Sequence, residues 1–558
     1  MMSTQTGNAR LYKTLVRVLD SLRNEAPAAN STYRPAPGNI DALIQARSRA
    51  LLHLFLKARF GLVRFTDREA LVTDGREDGG IDAFFIDQRS KLIYVLQSKF
   101  RATAGNFATA NITPSDLLKM EVRRILKGEK HAESGARYNN QIINGLQRAI
   151  RKLPDAGNYT THVVLLGNTK NLSTQQLRKL IEGYVVDQFP HERAYRELLF
   201  PVVNGTYFTE PNLTIEINLA NLKGDTHLDY EVRTESLRPN IKLLFVPTRE
   251  IGRIMHTYKN SILTYNPRSF LELSKNPVNR DIETSIRNMK SNEFALFNNG
   301  ITIIADQTSI SSDTAKQGTA QVVLRNPQLV NGGQTAYTLA RIYESCVSKK
   351  DFEVFKGKEV LLRVITFIGL TASRQEARLH LIEAISRASN SQTKIEESDR
   401  RSNDPVQMRL QQEFFEKYGL YYERKRGEFS DGLKGGYLPV DLVVNRERLV
   451  RVALACDYRV SQARSSVSKF FKGGALASVL KVRDTGKYAY GYEVFALLDK
   501  KRRQKPNVKG DRYHTKSYGQ ALRYAQYAVV AVCANAGQSR NKSEVEALES
   551  VLAQLDGV

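Results

Sequence analysis

The amino-acid sequence predicts a multidomain α/β protein with a mainly α-helical C-terminal part. Its 558 residues are enough for three or four domains. Up to about residue 440, short β-branched and aromatic runs alternate with amphipathic helical patterns, which is typical of mixed sheets covered by helices. Beyond that point the pattern is mostly helical. We expect an N-terminal helical and linker segment, two α/β domains and a basic helical domain, at residues 1–38, 39–235, 236–440 and 441–558.

The composition narrows the class of protein. Hydrophobic residues make up 41% of the chain and charged residues 25%, as in ordinary soluble globular proteins. The sequence has no run of 18 apolar residues and no basic-then-apolar signal pattern, so we expect a cytoplasmic protein without a membrane span. Three widely spaced cysteines, Cys346, Cys456 and Cys533, predict neither a disulfide framework nor a zinc site.

The charge of the chain points to a class of partner. The formal net charge is +25 and the pI is near 9.7. A basic surface attracts polyphosphates, and nucleic acid is the commonest such partner. An anionic membrane is the weaker alternative, because no basic amphipathic helix is obvious. The charge alone does not distinguish DNA from RNA.

The first α/β domain is predicted from a series of short patterns. A helix over 41–62 follows the linker Pro35-Ala-Pro37, because apolar residues recur there at helical spacing. Two β-branched and aromatic runs, 82–87 and 91–100, are joined by a polar turn and predict a β-hairpin. The remaining predicted elements are helices at 115–128, 138–153 and 174–187 and strands at 162–167 and 213–219.

Three polar side chains are expected to converge at one end of this hairpin. Alternate side chains of a strand share a face, so Gln97 and Lys99 point the same way, and the antiparallel partner can bring Asp82 close to them. Asp82 can hold Mg²⁺ or Mn²⁺, and the amide oxygen of Gln97 can add a second ligand. Lys99 can orient a water or stabilise charge developing on a phosphate. The alternative is an ordinary hairpin with a solvated polar face.

Two neighbouring features favour the functional interpretation. Lys99 follows an apolar run typical of a core strand, and the pair Gly79-Gly80 lets the backbone approach a ligand closely. Together these residues resemble the PD-(D/E)xK nuclease core, in the Mrr-like variant where Gln replaces the third acid. The resemblance covers about residues 40–220 and implies a restriction-endonuclease-like mixed sheet.

One metal ligand is missing from this pattern. In Mrr-like nucleases the preceding helix often supplies a further acid, but the body of helix 41–62 has none. The segment before Asp82 offers Asp78, with Asp74 and Glu77 as alternatives. We therefore predict a metal site formed by Asp82, Gln97 and Asp78.

The second α/β region contains two candidate binding motifs. After a strand at 241–246 and a helix at 248–259, Asn299-Gly300 stands between two apolar runs, which is a strong β-hairpin signal. The stretch from Asn326 to Thr335 predicts a strand, a glycine pair and a helix start, where free backbone N–H groups can bind an anion. A tight strand-to-helix turn is the alternative. No Walker A lysine is present, so ATP hydrolysis is not supported.

Further candidates follow a predicted strand at 360–367 and a predicted helix at 372–388. Asn390 and Gln392 could read a base edge or cap that helix. After a helix at 405–418, aromatics and cations interleave over 421–426, which predicts a contact to single strands or phosphates. The basic run 500–505 is predicted to be an exposed loop. The candidate nucleic-acid or nucleotide-binding residues are Asn298, Asn299, Asn331, Gly332, Gly333, Gln334, Thr335, Asn390, Gln392, Arg424 and Arg426.

Three stretches in this order resemble one protein family. They are Asp74-Gly with Gly79-Gly-Ile-Asp82 and Gln97-Ser-Lys99, then Phe297-Asn-Asn-Gly-Ile-Thr302, then Asn326-Pro-Gln-Leu-Val-Asn-Gly-Gly-Gln-Thr335. They closely resemble the abortive-infection phage-resistance family, AIPR, over about residues 40–430, and Asn390-Ser-Gln392 fits the family's Asn-x-Gln. The resemblance implies a bacterial antiphage protein with an N-terminal nuclease-like domain.

The sequence therefore predicts a Mg²⁺-dependent endonuclease that cleaves invading nucleic acid, with DNA favoured over RNA. A competing interpretation is a catalytically weak or inactive nucleic-acid or nucleotide-binding regulator or sensor of a defence system. The missing helix acid, the neutral Gln97 and the long second region favour this alternative. Expected partners are nucleic acid and an activator that is phage-derived or a nucleotide, and a homo-oligomer is compatible with the sequence.

Overall fold

The structure is a computed structural model in which the chain forms two compact units. It describes residues 4–88, 90–206, 212–219, 225, 227–235, 237–266, 278–288, 291–312, 317–367, 375–389, 397–472, 474–503 and 519–536. The N-terminal unit comprises Asn8–Phe208 with Gly432–Leu438. The C-terminal unit comprises Met1–Gly7, Thr209–Asp431 and Pro439–Val558. Among the described residues, no helix has the length and apolar character needed to cross a bilayer.

The N-terminal unit contains one mixed four-stranded sheet with helices around it. The strands, in their order across the sheet, are β1 Ala83–Asp87, β2 Leu92–Ser98, β3 Thr160–Leu166 and β4 Val185–Phe189. β1 pairs antiparallel with β2, whereas β2, β3 and β4 are parallel. The helices are α1 Thr4–Arg23, α2 Ile40–Phe60, α3 Phe65–Glu69, α4 Ala104–Thr109, α5 Pro114–Leu118, α6 Val122–Leu126, α7 Arg148–Arg151, α8 Thr174–Leu180, α9 His191–Ala194 and α10 Phe200–Asn204. Shorter helical turns lie at Gln141–Gln147, Ala156–Asn158 and Tyr195–Leu199.

Helix α2 lies where the sequence predicts it, and its ends follow capping rules. The side chain of Asn39 accepts a hydrogen bond from the N–H of Ala42 at the start. At the end, Gly61 takes the left-handed conformation and its N–H donates to carbonyls of the last turn. Phe60 stacks on Phe85 of β1 with 3.9 Å between ring centroids. This packing holds α2 against the hairpin.

Several predicted elements of this unit are shorter than expected. The helix predicted at 174–187 ends at Leu180, because Glu182 and Gly183 take positive φ angles, and Val185 already begins β4. The helix predicted at 115–128 is broken into α5 and α6. The strand predicted at 213–219 forms at Asn212–Asn218, but it belongs to the C-terminal unit, where it pairs with Thr319–Arg325.

The described residues of the C-terminal unit form three sheets. Their strands are β5 Asn212–Asn218, β6 Leu228–Glu231, β7 Pro239–Pro247, β8 Ile301–Ala305, β9 Gln307–Ser311, β10 Thr319–Arg325, β11 Gln328–Asn331, β12 Glu359–Phe367, β13 Tyr421–Glu423 and β14 Val443–Asn445. The sheet orders are β5-β10-β9, β11-β8-β12-β7-β6 and β13-β14. β12 pairs antiparallel with β7 and parallel with β8. The mixed α/β class predicted for this region is confirmed.

The last described part of this unit, after β14, is helical. The helices of the unit are α11 Thr248–Tyr258, α12 Val278–Asn288, α13 Phe294–Phe297, α14 Gly333–Lys349, α15 Gln375–Ser389, α16 Glu397–Arg400, α17 Pro405–Tyr418, α18 Ser430–Lys434, α19 Arg446–Cys456, α20 Val460–Arg464, α21 Ala475–Val479, α22 Thr485–Arg503 and α23 Gly519–Ala536. Short 3-10 turns lie at Lys259–Leu263, Glu353–Phe355, Val440–Leu442, Ser468–Phe471 and Val482–Asp484. The predicted helical character of the C-terminal part is confirmed.

The β-hairpin predicted around Asn299-Gly300 is wrong. The apolar run before this pair forms the helical turn α13. The run after it forms β8, whose partners are β11 and β12. Asn298 starts this turn by accepting a hydrogen bond from the N–H of Gly300 through its side chain.

Candidate metal centre

Asp82 lies immediately before β1 and is held through both its backbone and its carboxylate. Its N–H donates to the carbonyl of Leu96 at 2.8 Å, and its own carbonyl accepts from the N–H groups of Thr73 and Asp74 at 2.9 and 3.0 Å. One carboxylate oxygen, Oδ2, accepts from the N–H of Ser98 at 2.6 Å. Strand β2 therefore positions the carboxylate, and the preceding loop is tied to the same residue.

Two more carboxylates, those of Asp74 and Asp78, lie beside Asp82. One oxygen from each of the three lies within 4.8 Å of the other two. The two oxygens of Asp78 accept hydrogen bonds from backbone N–H groups of its own loop at 2.8 and 3.1 Å. The structure thus brings together Asp82 and two of the three acids considered for the missing ligand. Glu77 does not belong to this cluster.

The glycine pair allows this loop to pack closely on the segment that follows α5. Gly79 and Gly80 have φ angles of +60° and +72°, which other residues rarely adopt. A Cβ on Gly80 would lie 2.8 Å from the carbonyl oxygen of Lys119. The N–H of Glu121 donates to the carbonyl of Gly79 at 2.9 Å. Side chains at either glycine would displace the acidic loop.

Burial makes the cluster costly to ionise. It raises the pKa of Asp82 to about 8, and the charges of Asp74 and Asp78 add to this effect. The hydrogen bond from Ser98 and the charge of Lys99 act in the opposite direction. Burial also raises the pKa of Asp78. A bound cation would remove much of this cost, because it compensates the charges that burial and mutual repulsion disfavour.

Gln97 presents a buried oxygen and is the chain neighbour of Ser98, whose N–H donates to Asp82. Gln97 is 3% exposed, and it follows Leu96, whose carbonyl accepts from the N–H of Asp82. The amide nitrogen donates to the carbonyl of Asp116 at 3.2 Å, whereas Oε1 is buried and has no hydrogen-bond partner. A buried oxygen without a donor destabilises the fold unless another group approaches it. A cation at the three carboxylates could supply that interaction.

Lys99 lies at the end of β2 and pairs with an acid that the sequence reasoning missed. Its Nζ is 3.3 Å from Oδ1 of Asp116. Its charge also lowers the pKa of Asp78 and Asp82, against the larger effect of burial. Asp116 forms a capping box with Thr113 at the start of α5. The Thr-Pro-Ser-Asp spacing of such a box was the available signal.

The donor set suits a hard divalent cation. Carboxylate and amide oxygens are the ligands that Mg²⁺ and Mn²⁺ prefer in proteins. Asp74, Asp78 and Asp82 supply the former and Gln97 the latter. This fit depends on a buried oxygen without a partner as well as on the acidic residues.

The two motifs of the second α/β region contact each other. The amide of Asn298 donates to Oγ1 of Thr335 at 2.9 Å, and Oδ1 of Asn331 accepts from the N–H of Gly332 at 2.8 Å. The first bond links the two motifs and the second stabilises the turn before α14, which is the structural role left open by the sequence. Asn299 is exposed, whereas Gly333 and Gln334 are buried and half-buried in the first turn of α14.

The predicted nucleic-acid contact over 421–426 conflicts with burial. Tyr421 and Tyr422 are fully buried, and Nζ of Lys425 donates to two carbonyls in the core of the unit. The guanidinium of Arg424 bonds to Gln411, Glu428 and the Ser402 carbonyl. These groups serve the fold, because their polar atoms and aromatic faces are already engaged.

The remaining candidates have different positions. Arg426 is exposed. Asn390 and Gln392 lie outside the described residues. The basic run 500–505 was predicted as a loop, but α22 extends through Arg503, and the rest of the run lies outside the described part.

The comparison with protein families agrees with the second half of the predicted resemblance. Residues 263–540 match the family described as AIPR protein. The match contains the motifs at 297–302 and 326–335 but not the acidic cluster, and it extends beyond the predicted limit of about residue 430. No curated protein and no solved structure is significantly similar to the chain.

Proposed function

We propose, from the match of residues 263–540 to the AIPR protein family, that the chain acts in abortive infection against phage as a metal-dependent nuclease. The family match supports the defence role. The nuclease activity rests on the N-terminal unit, where the carboxylates of Asp74, Asp78 and Asp82 meet and where β2 adds the buried, unpartnered oxygen of Gln97. That convergence is the observation that carries the assignment.

The residues of the site would divide two tasks in phosphodiester hydrolysis, metal binding and charge stabilisation. Asp74, Asp78, Asp82 and Gln97 would hold Mg²⁺ or Mn²⁺. A bound divalent cation supplies positive charge for the reacting phosphate and acidifies water. Lys99 is less buried than Gln97, and its ammonium can leave Asp116 to donate a hydrogen bond to a phosphate oxygen, where negative charge grows in the transition state.

The sheet also supports a nuclease-like unit. An antiparallel hairpin is followed by two strands parallel to β2, and the candidate residues lie at the end of that hairpin. The net charge of +25 favours a polyanionic substrate, and we propose DNA ahead of RNA.

The first experiment is a cleavage assay. Purified full-length chain is incubated with plasmid, linear duplex, single-stranded DNA and RNA, with Mg²⁺ or Mn²⁺ and with a chelator. We expect cutting of DNA only with the metal. Binding without metal-dependent cutting of any substrate, with nucleotides also tried as activators, would instead support a regulator or sensor.

The assignment of Lys99 is tested by Lys99→Ala. We expect cleavage to fall about 100-fold or more, because charge stabilisation at the reacting phosphate is lost, while nucleic-acid affinity stays nearly unchanged. Lys91→Ala is the matched control, because Lys91 flanks the other end of β2 and pairs with Asp155 at 2.6 Å. Equal cleavage by the Lys99 variant and wild type would contradict the assignment.

A further inference from the structure

Arg49 contacts the acidic cluster from helix α2. Its Nε lies 2.8 Å from Oδ2 of Asp74, and its Nη2 donates to the carbonyl oxygen of the same residue. The Arg49 side chain is 19% exposed and that of Asp74 is 36% exposed, so the pair is open to water mainly on the Asp74 side. One guanidinium therefore binds both the carboxylate and the backbone carbonyl of Asp74. The helix whose body has no acid supplies a cation at the cluster.

Arg49 lies beside a buried polar network. The hydroxyl of Tyr33 bonds to Nε2 of His53 at 2.7 Å and to the carboxylate of Glu69. Burial raises the pKa of Glu69, but hydrogen bonds from His53 and Tyr33 and the charges of His53 and Arg49 outweigh it and lower the pKa overall. The guanidinium of Arg49 is therefore attracted by a second carboxylate, that of Glu69, as well as by Asp74.

The loop that carries Asp74 is also held from the opposite side. The side-chain amide of Asn139 donates to the carbonyls of Thr73 and Arg76 at 2.9 and 3.3 Å, and its N–H donates to Glu77 at 3.0 Å. Its Oδ1 accepts from the N–H of Ile142 at 2.9 Å. Arg49 of α2 thus holds Asp74 itself, and Asn139 holds the loop on both sides of Asp74 in sequence.

Two of the four aspartates at the site are already paired with cations. Asp74 pairs with Arg49, and Asp116 pairs with Lys99. Two carboxylates, those of Asp78 and Asp82, are left to match two positive charges. A second divalent cation on the Asp74 side of the cluster would be repelled by the guanidinium of Arg49, which lies 2.8 Å from that carboxylate.

We propose that Arg49 is a positioning residue that orients Asp74 for a single divalent cation and takes the place of a second one. The inference rests on the proposed metal site and goes beyond it by giving the stoichiometry and the residue that sets it. It does not require that the chain cleaves nucleic acid.

The test measures Mn²⁺ binding to the full chain. Calorimetry gives the affinity and the number of ions bound, and the electron paramagnetic resonance spectrum reports the surroundings of the bound ion. We expect about one Mn²⁺ per chain. Arg49→Met should weaken binding about 10-fold to 100-fold and change the spectrum of the saturated site, as expected when a supporting residue is lost. Arg49→Lys should recover part of the affinity, because it keeps the charge but loses the forked contact.

Arg47→Met is the control, since Arg47 lies on the same helix and pairs with Asp20 at 2.8 Å with similar exposure. It should leave the affinity and the spectrum unchanged. Asp74→Asn completes a double-mutant cycle with Arg49→Met. If the two losses of Mn²⁺ affinity are less than additive, Arg49 acts through Asp74; additive losses would overturn that coupling.

Other outcomes separate this inference from the proposed function. Two Mn²⁺ per wild-type chain, or equal affinities for the Arg49→Met and Arg47→Met variants, would overturn the inference even if DNA is cut. One tightly bound Mn²⁺ that depends on Arg49, in a chain that cuts no nucleic acid, would support the inference and remove the nuclease function.

Discussion

At the scale of single residues, Asp82 links stability to the candidate site. Its folded-state pKa is about 8 because burial opposes ionisation, whereas an unfolded aspartate titrates near pH 4. The stability from this group is fully present below about pH 4 and is lost as pH rises toward 8. We predict that the unfolding free energy of Asp82→Asn, measured in chelator, rises relative to that of wild type as pH increases. The change between pH 5 and pH 8 should be on the order of 3 kcal/mol.

Asp20 provides the control of opposite sign. Burial raises its pKa, but hydrogen bonds from Arg47 and Arg23 outweigh this and lower the pKa overall. Its contribution is therefore present above the unfolded pKa and lost as pH falls, so Asp20→Asn should be less stable than wild type at pH 8. Urea denaturation from pH 5 to pH 8 measures both. A wild-type-to-Asp82→Asn difference that does not change with pH would show that Asp82 ionises normally.

At the scale of elements, local signals predicted some structures and not others. The β1–β2 hairpin follows from alternation and a polar turn within its own sequence, and it forms with ends one or two residues from those predicted. Asn299-Gly300 gives an equally local signal, but β8 takes its partners from β11 and β12, far along the chain. Short patterns do not contain such long-range pairings.

The same limit applies to the candidate site. Asp82, Gln97 and Lys99 could be predicted because one hairpin carries them. Arg49 and Asn139 could not, because their contacts with the acidic loop span 25 and 66 residues of sequence. The sequence showed that a ligand was missing, and only the fold shows which groups surround it.

The turn between β11 and α14 gives a prediction at this scale. Gly332 has a φ of +81°, and a Cβ there would lie 2.8 Å from Cγ1 of Ile301 and 2.9 Å from the carbonyl oxygen of Gly300. We predict that Gly332→Ala destabilises the protein by about 2 kcal/mol or more, from backbone strain plus displacement of β8.

Gly318→Ala is the matched control for that variant. Gly318 has a similar φ of +75°, and a Cβ there would meet no other atom within 4 Å, so this variant measures the backbone strain alone. Chemical denaturation compares the two variants. Equal losses of unfolding free energy in the two variants would mean that the close packing of Gly332 against β8 adds nothing to the cost.

At the scale of the whole molecule, the charge of +25 determines how binding should respond to salt. A protein that neutralises phosphates releases counterions from the nucleic acid, so its affinity falls steeply as salt concentration rises. For about five phosphate contacts, we predict a loss of roughly 500-fold in DNA affinity between 50 and 200 mM salt. The Lys99→Ala variant in chelator allows binding to be measured by fluorescence anisotropy without cleavage.

The dependence of affinity on salt concentration distinguishes binding through phosphate contacts from binding through bases or ends. If basic surface contacts dominate, duplexes of unrelated sequence should lose affinity in parallel, because phosphate contacts carry no sequence information. Thermal melts over the same salt range verify that the protein stays folded. An affinity that changes less than about threefold would mean that the positive charge is not used against phosphates, and the substrate would then have to be recognised through bases or ends.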